Sequence, residues 1–286
     1  MAKLDRLEWV SGTAFRAYGI RFGIRASRAT ELAELRETFP PGWKPIEGSA
    51  VVDHLYSLRL GSHQPNLKQF HLLYSGTRRI ARSLELPPVI QALESDLQLV
   101  VALGAPRRLF VHAGVVGWRN QAIVFPGRSF SGKTTLVAAM VRAGARYYSD
   151  EFAVLDQRGR VHPYHKPLSM RDEEGDEPRR VAAEELGGRL GSRALPVGLV
   201  VLSEYQSTGK WRPLVLSPAQ AVLALLGNTV SARFQPRVVL DTLKVTLRRA
   251  TVLRSERGEV DEVVDTILSH LDPKNPLIPI GAESAA

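Results

Sequence analysis

Gly127, Gly132, Lys133 and Thr134 are spaced as a phosphate-binding loop: a glycine, four residues, then Gly-Lys-Thr, within PGRSFSGKTT at residues 126–135. Successive backbone N–H groups of such a loop form a concave anion site, and the helix that follows adds the positive end of its dipole. Gly127 and Gly132 let the backbone turn and approach the phosphates. Lys133 reaches the β and γ phosphates, and the Thr134 hydroxyl is a ligand for Mg²⁺. Arg128, Ser129, Phe130, Ser131 and Thr135 complete the candidate nucleotide-binding stretch. The chemistry open to it is binding of a nucleotide, its hydrolysis, or transfer of its phosphoryl group.

An acidic pair, Asp150-Glu151, follows 16 residues after Thr134. It falls at the expected end of the next strand, where a carboxylate can face the γ-phosphate and its metal. Two adjacent acids can divide the work, one activating a nucleophile and the other supporting the metal; the other reading is an exposed turn with two charges. His112, in LFVHAGVV, lies on the strand before the loop. It is either a core histidine with its hydrogen bonds satisfied or a partner of a catalytic carboxylate or phosphate oxygen. The run RDEEGDEPRR at 171–180 reads as a solvated loop or as a flap over a substrate.

The elements that must position these residues follow from the pattern. RLFVHAGVVGW and NQAIVFPG predict two buried strands joined by a turn at Arg119-Asn120, and TTLVAAMVRAG predicts a helix capped at Gly144. RYYSDEFAVLDQRGRVHPY reads as strand, acidic pair, strand and a turn at Gly159, and ALPVGLVVLSEY as a buried strand. SPAQAVLALLGNT predicts a helix with a Ser217 cap and Pro218 at its first position. TLKVTLRRATVLR is expected to be a strand or a strand pair, and EVDEVVDTILSHL a closing helix. Upstream, FRAYGIRFGIRAS and AVVDHLYSLRLG read as strands, ATELAELRETF as a short helix, and PPVIQALESDLQLVVALGA as a helix; the stretch NLKQFHLLYSGTRRIARSLEL is ambiguous. The expected division is an N-terminal α+β lobe at 1–104, a catalytic domain at 105–272 and a loose tail at 273–286.

The chain has 286 residues, 44% hydrophobic and 23% charged, enough for one large domain or two smaller ones. It has no cysteine, which excludes disulfides, thiol catalysis and cysteine-built metal sites and fits a reducing compartment. The start MAKLDRLEWV has early acidic residues and no apolar core of a signal peptide, and the longest apolar run, near ALPVGLVVL, is short of a membrane span. A cytoplasmic location away from membranes is the expectation. The formal charge of +9 favours acidic partners such as nucleotides. The arginines are scattered, with no zinc-finger, RNA-recognition or basic-zipper signature, which weighs against nucleic acid.

VHAGVV, GRSFSGKTT and YSDEF, in that order, resemble the C-terminal catalytic domain of HPr kinase/phosphorylase. That family carries a His-Gly-type strand, a Walker A loop and an Ala-Asp-Asp segment at the next strand end. The resemblance covers residues 108–157 well and the rest loosely. The wording SDEFAVLD…GRVHPYHKPLSMR is similar to divergent HPr-kinase-like proteins, some of them peptide-tailoring kinases of natural-product clusters. The resemblance implies an α/β fold, a P-loop kinase core of the PEP-carboxykinase-like type with a central mixed sheet. It implies Asp150 as the carboxylate that takes the acceptor's proton, His112 as its assistant, and Lys133 and Thr134 at the phosphate and metal positions. Glu151 stands where the family has a second Asp, with a metal role. The family's Glu-x-Arg-Gly-Leu-Gly-Ile and Arg-Pro-Gly-Arg-Asn stretches are absent, which argues against HPr as substrate and leaves the reverse reaction unsupported. HPYHKPLSMR replaces the first, so Lys166 and Arg171 are candidate acceptor contacts; equally they are loop cations lying along apolar surface. The expected function is ATP- and Mg²⁺-dependent phosphoryl transfer to a serine hydroxyl of a peptide or small protein. The alternatives are a nucleotide-sensing module without turnover, and a kinase acting on free serine. The family's hexamers make a homo-oligomer a further expectation.

Overall fold

The computed structural model describes residues 4–28, 34–48, 51–61, 63–64, 67–127, 131–170 and 179–272. The chain is mixed α/β and divides into two compact units, Met1–Pro106 and Arg107–Ala286.

The first unit is a twisted sheet with one long helix. Its strands are β1 (Ser11–Ala17), β2 (Ile20–Ala26), β3 (Lys44–Pro45), β4 (His54–Arg59), β5 (His63–Gln64), β6 (Leu67–Lys68), β7 (His71–Ser75) and β8 (Arg78–Ser83). Six of them form a sheet in the order β3-β1-β2-β4-β7-β8, with β2 and β4 parallel; β5 and β6 pair separately. The ambiguous stretch is therefore a run of strands. The turn at Gly76, with φ +59°, joins β7 to β8. Of ATELAELRETF, residues 29–33 lie outside the described residues and Glu34–Thr38 is a 3-10 turn. Helix α1 (Leu86–Gly104) has Pro at its first turn, and Val89, Leu93, Leu97 and Val101 are buried at helical spacing. By length and composition α1 is apolar enough to cross a membrane, with a mean hydropathy of 1.2 over its best window. This exceeds the apolar run noted in the sequence. The stripe is a core face, since the same helix also buries Glu94 and Gln98.

The second unit is built on β9 (Arg108–Trp118), β10 (Gln121–Pro126), β11 (Arg146–Ser149), β12 (Phe152–Asp156), β13 (Arg160–His162), β14 (Leu168–Met170), β15 (Arg179–Val181), β16 (Arg189–Leu190), β17 (Leu195–Tyr205), β18 (Leu214–Val215) and β19 (Thr251–Arg257). Strands β9, β12, β13, β17 and β10 pair in a closed circuit, and β11 and β19 extend the sheet beyond it. The β9–β10 turn is tight because Arg119 and Asn120 both take positive φ, 46° and 63°, the two-residue turn whose twist matches the strands. Helix α2 (Lys133–Arg142) buries Leu136, Val137, Met140 and Val141 against Val116, Phe125 and Leu199 of the sheet. Gly144, at φ +96°, closes it by donating to the Val141 carbonyl.

Helix α3 (Pro218–Leu226) begins as expected: the Gln220 N–H donates to Ser217 Oγ at 3.4 Å, and the Ser217 N–H donates to Gln220 Oε1 at 3.0 Å. TLKVTLRR corrects the expected strand, because helix α4 (Pro236–Leu247) runs through it and only β19 follows as strand. Val239, Thr242, Leu243 and Thr246 are buried at intervals of a helical face, which outweighs the β-branched content that read as strand. The closing helix is shorter than expected, a 3-10 turn at Val260–Glu262 followed by α5 (Val264–Ser269). The expected tail at 273–286 lies outside the described residues.

Candidate functional site

Strand β10 ends at Pro126, and the Gly127 N–H donates to the His112 carbonyl at 3.2 Å, pinning the start of the glycine stretch to β9. A Cβ at Gly127 would stand 2.6 Å from Ser131 Oγ, so only glycine allows the chain to fold back there. Gly132 caps α2 with φ +77°, and a Cβ on it would stand 2.5 Å from Arg257 Nη2. Ser131, Lys133 and Thr134 are half-buried at this helix start, and Thr135 is exposed. Arg128, Ser129 and Phe130 lie outside the described residues.

Asp150, 9% exposed, sits at the bend after β11 and is held from three directions. The Thr134 hydroxyl donates to Oδ2 at 3.1 Å, and the Ser169 N–H points at the same oxygen from 3.4 Å. The Tyr147 hydroxyl lies 3.0 Å from Oδ1 and 2.7 Å from the Lys166 carbonyl oxygen. Both are acceptors, so the one phenolic proton serves the two between them. Burial, then the charge of Asp150, pushes the Tyr147 pKa far above the ordinary tyrosine value, so the phenol stays a donor. The bend itself is made by Ser149, whose Oγ accepts the N–H groups of Glu151 and Phe152 at 3.1 and 2.9 Å.

Lys133 is drawn in two directions. Burial lowers its pKa, and the charges of Asp150 and Glu151 act against that. Glu151 meets Lys166 Nζ at 3.6 Å, so Lys166 faces the acidic pair in this structure. Arg171, the other candidate acceptor contact, lies outside the described residues. His112 is exposed, with its ring centroid 4.7 Å from that of Phe152. Desolvation against its neighbours, then the charge of Lys133, lowers its pKa and favours the neutral ring. No hydrogen bond joins its ring to Asp150 among the described residues.

The donors that converge here are oxygens: Thr134 Oγ1 and the carboxylates of Asp150 and Glu151. That set suits Mg²⁺, which binds through one or two carboxylates and completes its shell with water and phosphate oxygens. No group of three or more His, Asp or Glu side chains is placed to hold a metal on its own among the described residues.

Three contributors escaped the sequence reading. Tyr147 is three residues before Asp150 in RYYSD, a spacing that carries no signature across a strand end. Ser169 contributes only its backbone. Arg257 reaches Gly132 from 125 residues away, its Nη2 3.3 Å from the Gly132 carbonyl oxygen.

No protein-family model and no curated protein matches the sequence. Among solved structures, the chain is similar to the HPr(Ser) kinase/phosphatase from Coxiella burnetii, at 12% identity and a TM-score of 0.34, over 56% of this chain and 91% of that one. A likeness at that level adds nothing to the site, whose reading rests on its own geometry.

Proposed function

We propose that the protein is an ATP- and Mg²⁺-dependent kinase that transfers the γ-phosphoryl group to a serine hydroxyl of a peptide or small protein. The observation that carries this is the pairing of Asp150 with Thr134: a buried carboxylate hydrogen-bonded to the first turn of the helix that follows a Gly-x4-Gly-Lys-Thr stretch. A module that only senses nucleotide has no need of a carboxylate fixed beside the phosphate end.

In this reading the N–H groups at the start of α2 and the Lys133 ammonium hold the β and γ phosphates. Thr134 and Glu151 would hold Mg²⁺, which would neutralise charge on the phosphate oxygens. Asp150 accepts the proton of the acceptor hydroxyl as the serine oxygen bonds to the γ-phosphorus. The bond from that phosphorus to the β-bridging oxygen breaks, and the nucleoside diphosphate leaves. Tyr147 and the Ser169 N–H keep the Asp150 carboxylate in one orientation during the transfer, so positioning and charge neutralisation supply most of the acceleration. A peptide acceptor with an acidic segment is favoured by Arg179 and Arg180, which are exposed on β15.

The experiment is transfer from labelled ATP, followed by mass spectrometry, across candidate precursor peptides, HPr and free serine. A phosphoserine on a peptide or small protein is expected. Faster transfer to free serine than to any peptide would overturn the acceptor, and tight ATP binding with no transfer to anything would overturn the kinase.

A further inference from the structure

Arg257 is the last residue of β19 and only 2% exposed. Its Nη2 donates to the Gly132 carbonyl at 3.3 Å and its Nη1 to the Gly258 carbonyl at 3.1 Å, while Nε has no hydrogen-bond partner among the described residues. The guanidinium stands 5.5 Å from the ring of Tyr205. Among the described residues no carboxylate forms an ion pair with it. Glu259, whose charge acts on it from further off, is hydrogen-bonded by the Tyr205 hydroxyl at 2.8 Å. A guanidinium buried without a carboxylate is costly, and proteins keep such a group where an anion completes it.

The Gly132 carbonyl also accepts the Leu136 N–H at 3.1 Å, so two donors fix it along the axis of α2. A trans peptide is planar, with C=O and N–H on opposite sides. Fixing the Gly132 oxygen inward therefore turns the Lys133 N–H outward, past the helix start. Any side chain at 132 would displace the guanidinium, so the glycine serves Arg257 as well as the left-handed turn.

We propose that Arg257 is the positioning residue and buried counter-charge of an anion site formed by Gly127, Ser131, Gly132, Lys133 and Thr134, and that it makes this site select polyphosphates over singly phosphorylated ligands. It aims the Lys133 N–H from behind the helix start and adds a positive field. A field in a poorly solvated setting rewards each further negative charge on the ligand. The inference rests on the nucleotide-binding reading above and specifies which anion that stretch prefers.

The test is calorimetric titration of the full chain with orthophosphate, pyrophosphate, tripolyphosphate and ATP, in the wild type and in Arg257→Gln, Arg257→Lys and Lys133→Ala. The wild type should prefer tripolyphosphate to orthophosphate, and Arg257→Gln should weaken tripolyphosphate and ATP by roughly 30-fold or more and orthophosphate by only a few-fold. Its affinity should also become less sensitive to salt. Arg257→Lys should recover part of the preference, since it keeps the charge and loses the fork that grips Gly132. A folded Arg257→Gln with unchanged tripolyphosphate affinity, or an equal loss for every anion, would overturn the proposal. Should the glutamine variant fail to fold, Arg257→Lys decides by the same criterion. Arg257-dependent polyphosphate binding with no transfer to any acceptor would sink the kinase and leave this inference standing. A wild type that binds no polyphosphate would sink both.

Discussion

Each unit buries a tyrosine–aspartate pair, and the two pairs are finished differently. In the first unit Tyr56, fully buried, donates to Asp96 Oδ2 at 2.7 Å, and the other oxygen of Asp96 faces the Arg78 guanidinium at 3.5 Å. In the second unit Tyr147, 1% exposed, meets Asp150 Oδ1 at 3.0 Å, and the other oxygen of Asp150 faces the neutral hydroxyl of Thr134. Burial raises both phenols above the ordinary tyrosine range, and the adjacent carboxylate adds to it. The first pair is closed by a cation and is a structural clasp. The second is closed by the neutral hydroxyls of Tyr147 and Thr134 and the Ser169 N–H, with no cation bonded to either oxygen among the described residues. The same two residue types make a fastening or a tool, depending on what occupies the second oxygen.

The comparison breaks most sharply at the carboxylates. Asp150→Asn should cut phosphoryl transfer by about 10²- to 10⁴-fold with ATP affinity nearly unchanged, as loss of a general base does. Asp96→Asn should leave the transfer rate alone and lower only the melting temperature. Equal rate losses in the two variants would erase the distinction, and steady-state kinetics beside thermal melts would reveal it.

The phenols sharpen it on a smaller scale. Tyr147→Phe should lower kcat about tenfold with little effect on the KM for ATP, because the carboxylate loses one of the donors that orient it. Tyr56→Phe should cost about 0.5–1.5 kcal/mol of stability and no activity. A Tyr147→Phe enzyme with full kcat would reduce Tyr147 to packing.

The smallest effect is in pH. His165, whose ring stacks 6.2 Å from that of Tyr147, has its pKa lowered by burial. Below a pH of about 6.5 the unfolded chain therefore takes up this proton while the folded chain resists it, and stability falls as pH falls. Each such histidine contributes a slope of at most about 1.4 kcal/mol per pH unit. His165→Gln should flatten the decline in melting temperature between about pH 7 and 5. An unchanged slope would remove His165 from the account.

What the sequence revealed was whatever is local. Strand, glycine stretch and helix follow one another within 121–142, so β10 and α2 were legible from alternation, glycine spacing and the turn at Gly144. The Ser217 cap was legible for the same reason, since its partner is three residues away. TLKVTLRR was misread because valine and threonine carry strand propensity, whereas the buried spacing of Val239, Thr242, Leu243 and Thr246 is set by what α4 packs against. His112 and Asp150 could be placed on neighbouring strands, but not in or out of hydrogen-bond contact, because a few tenths of an ångström in register are invisible in residue order. Tyr147 joins Asp150 only because Ser149 bends the chain between them. Arg257 was out of reach altogether, since nothing in SERGEV points to a glycine 125 residues earlier.

That last contact has a consequence for how the protein is made. The glycine stretch leaves the ribosome well before β19, and β19 enters the sheet by pairing in parallel with β17, with Tyr205 opposite Arg257. Until it does, the Gly132 carbonyl has only the Leu136 N–H as a partner. A nascent or nicked chain ending before residue 257 thus carries the whole motif without the guanidinium behind it. The polyphosphate preference proposed for this site would be missing from such a chain even where the glycine stretch and α2 have folded.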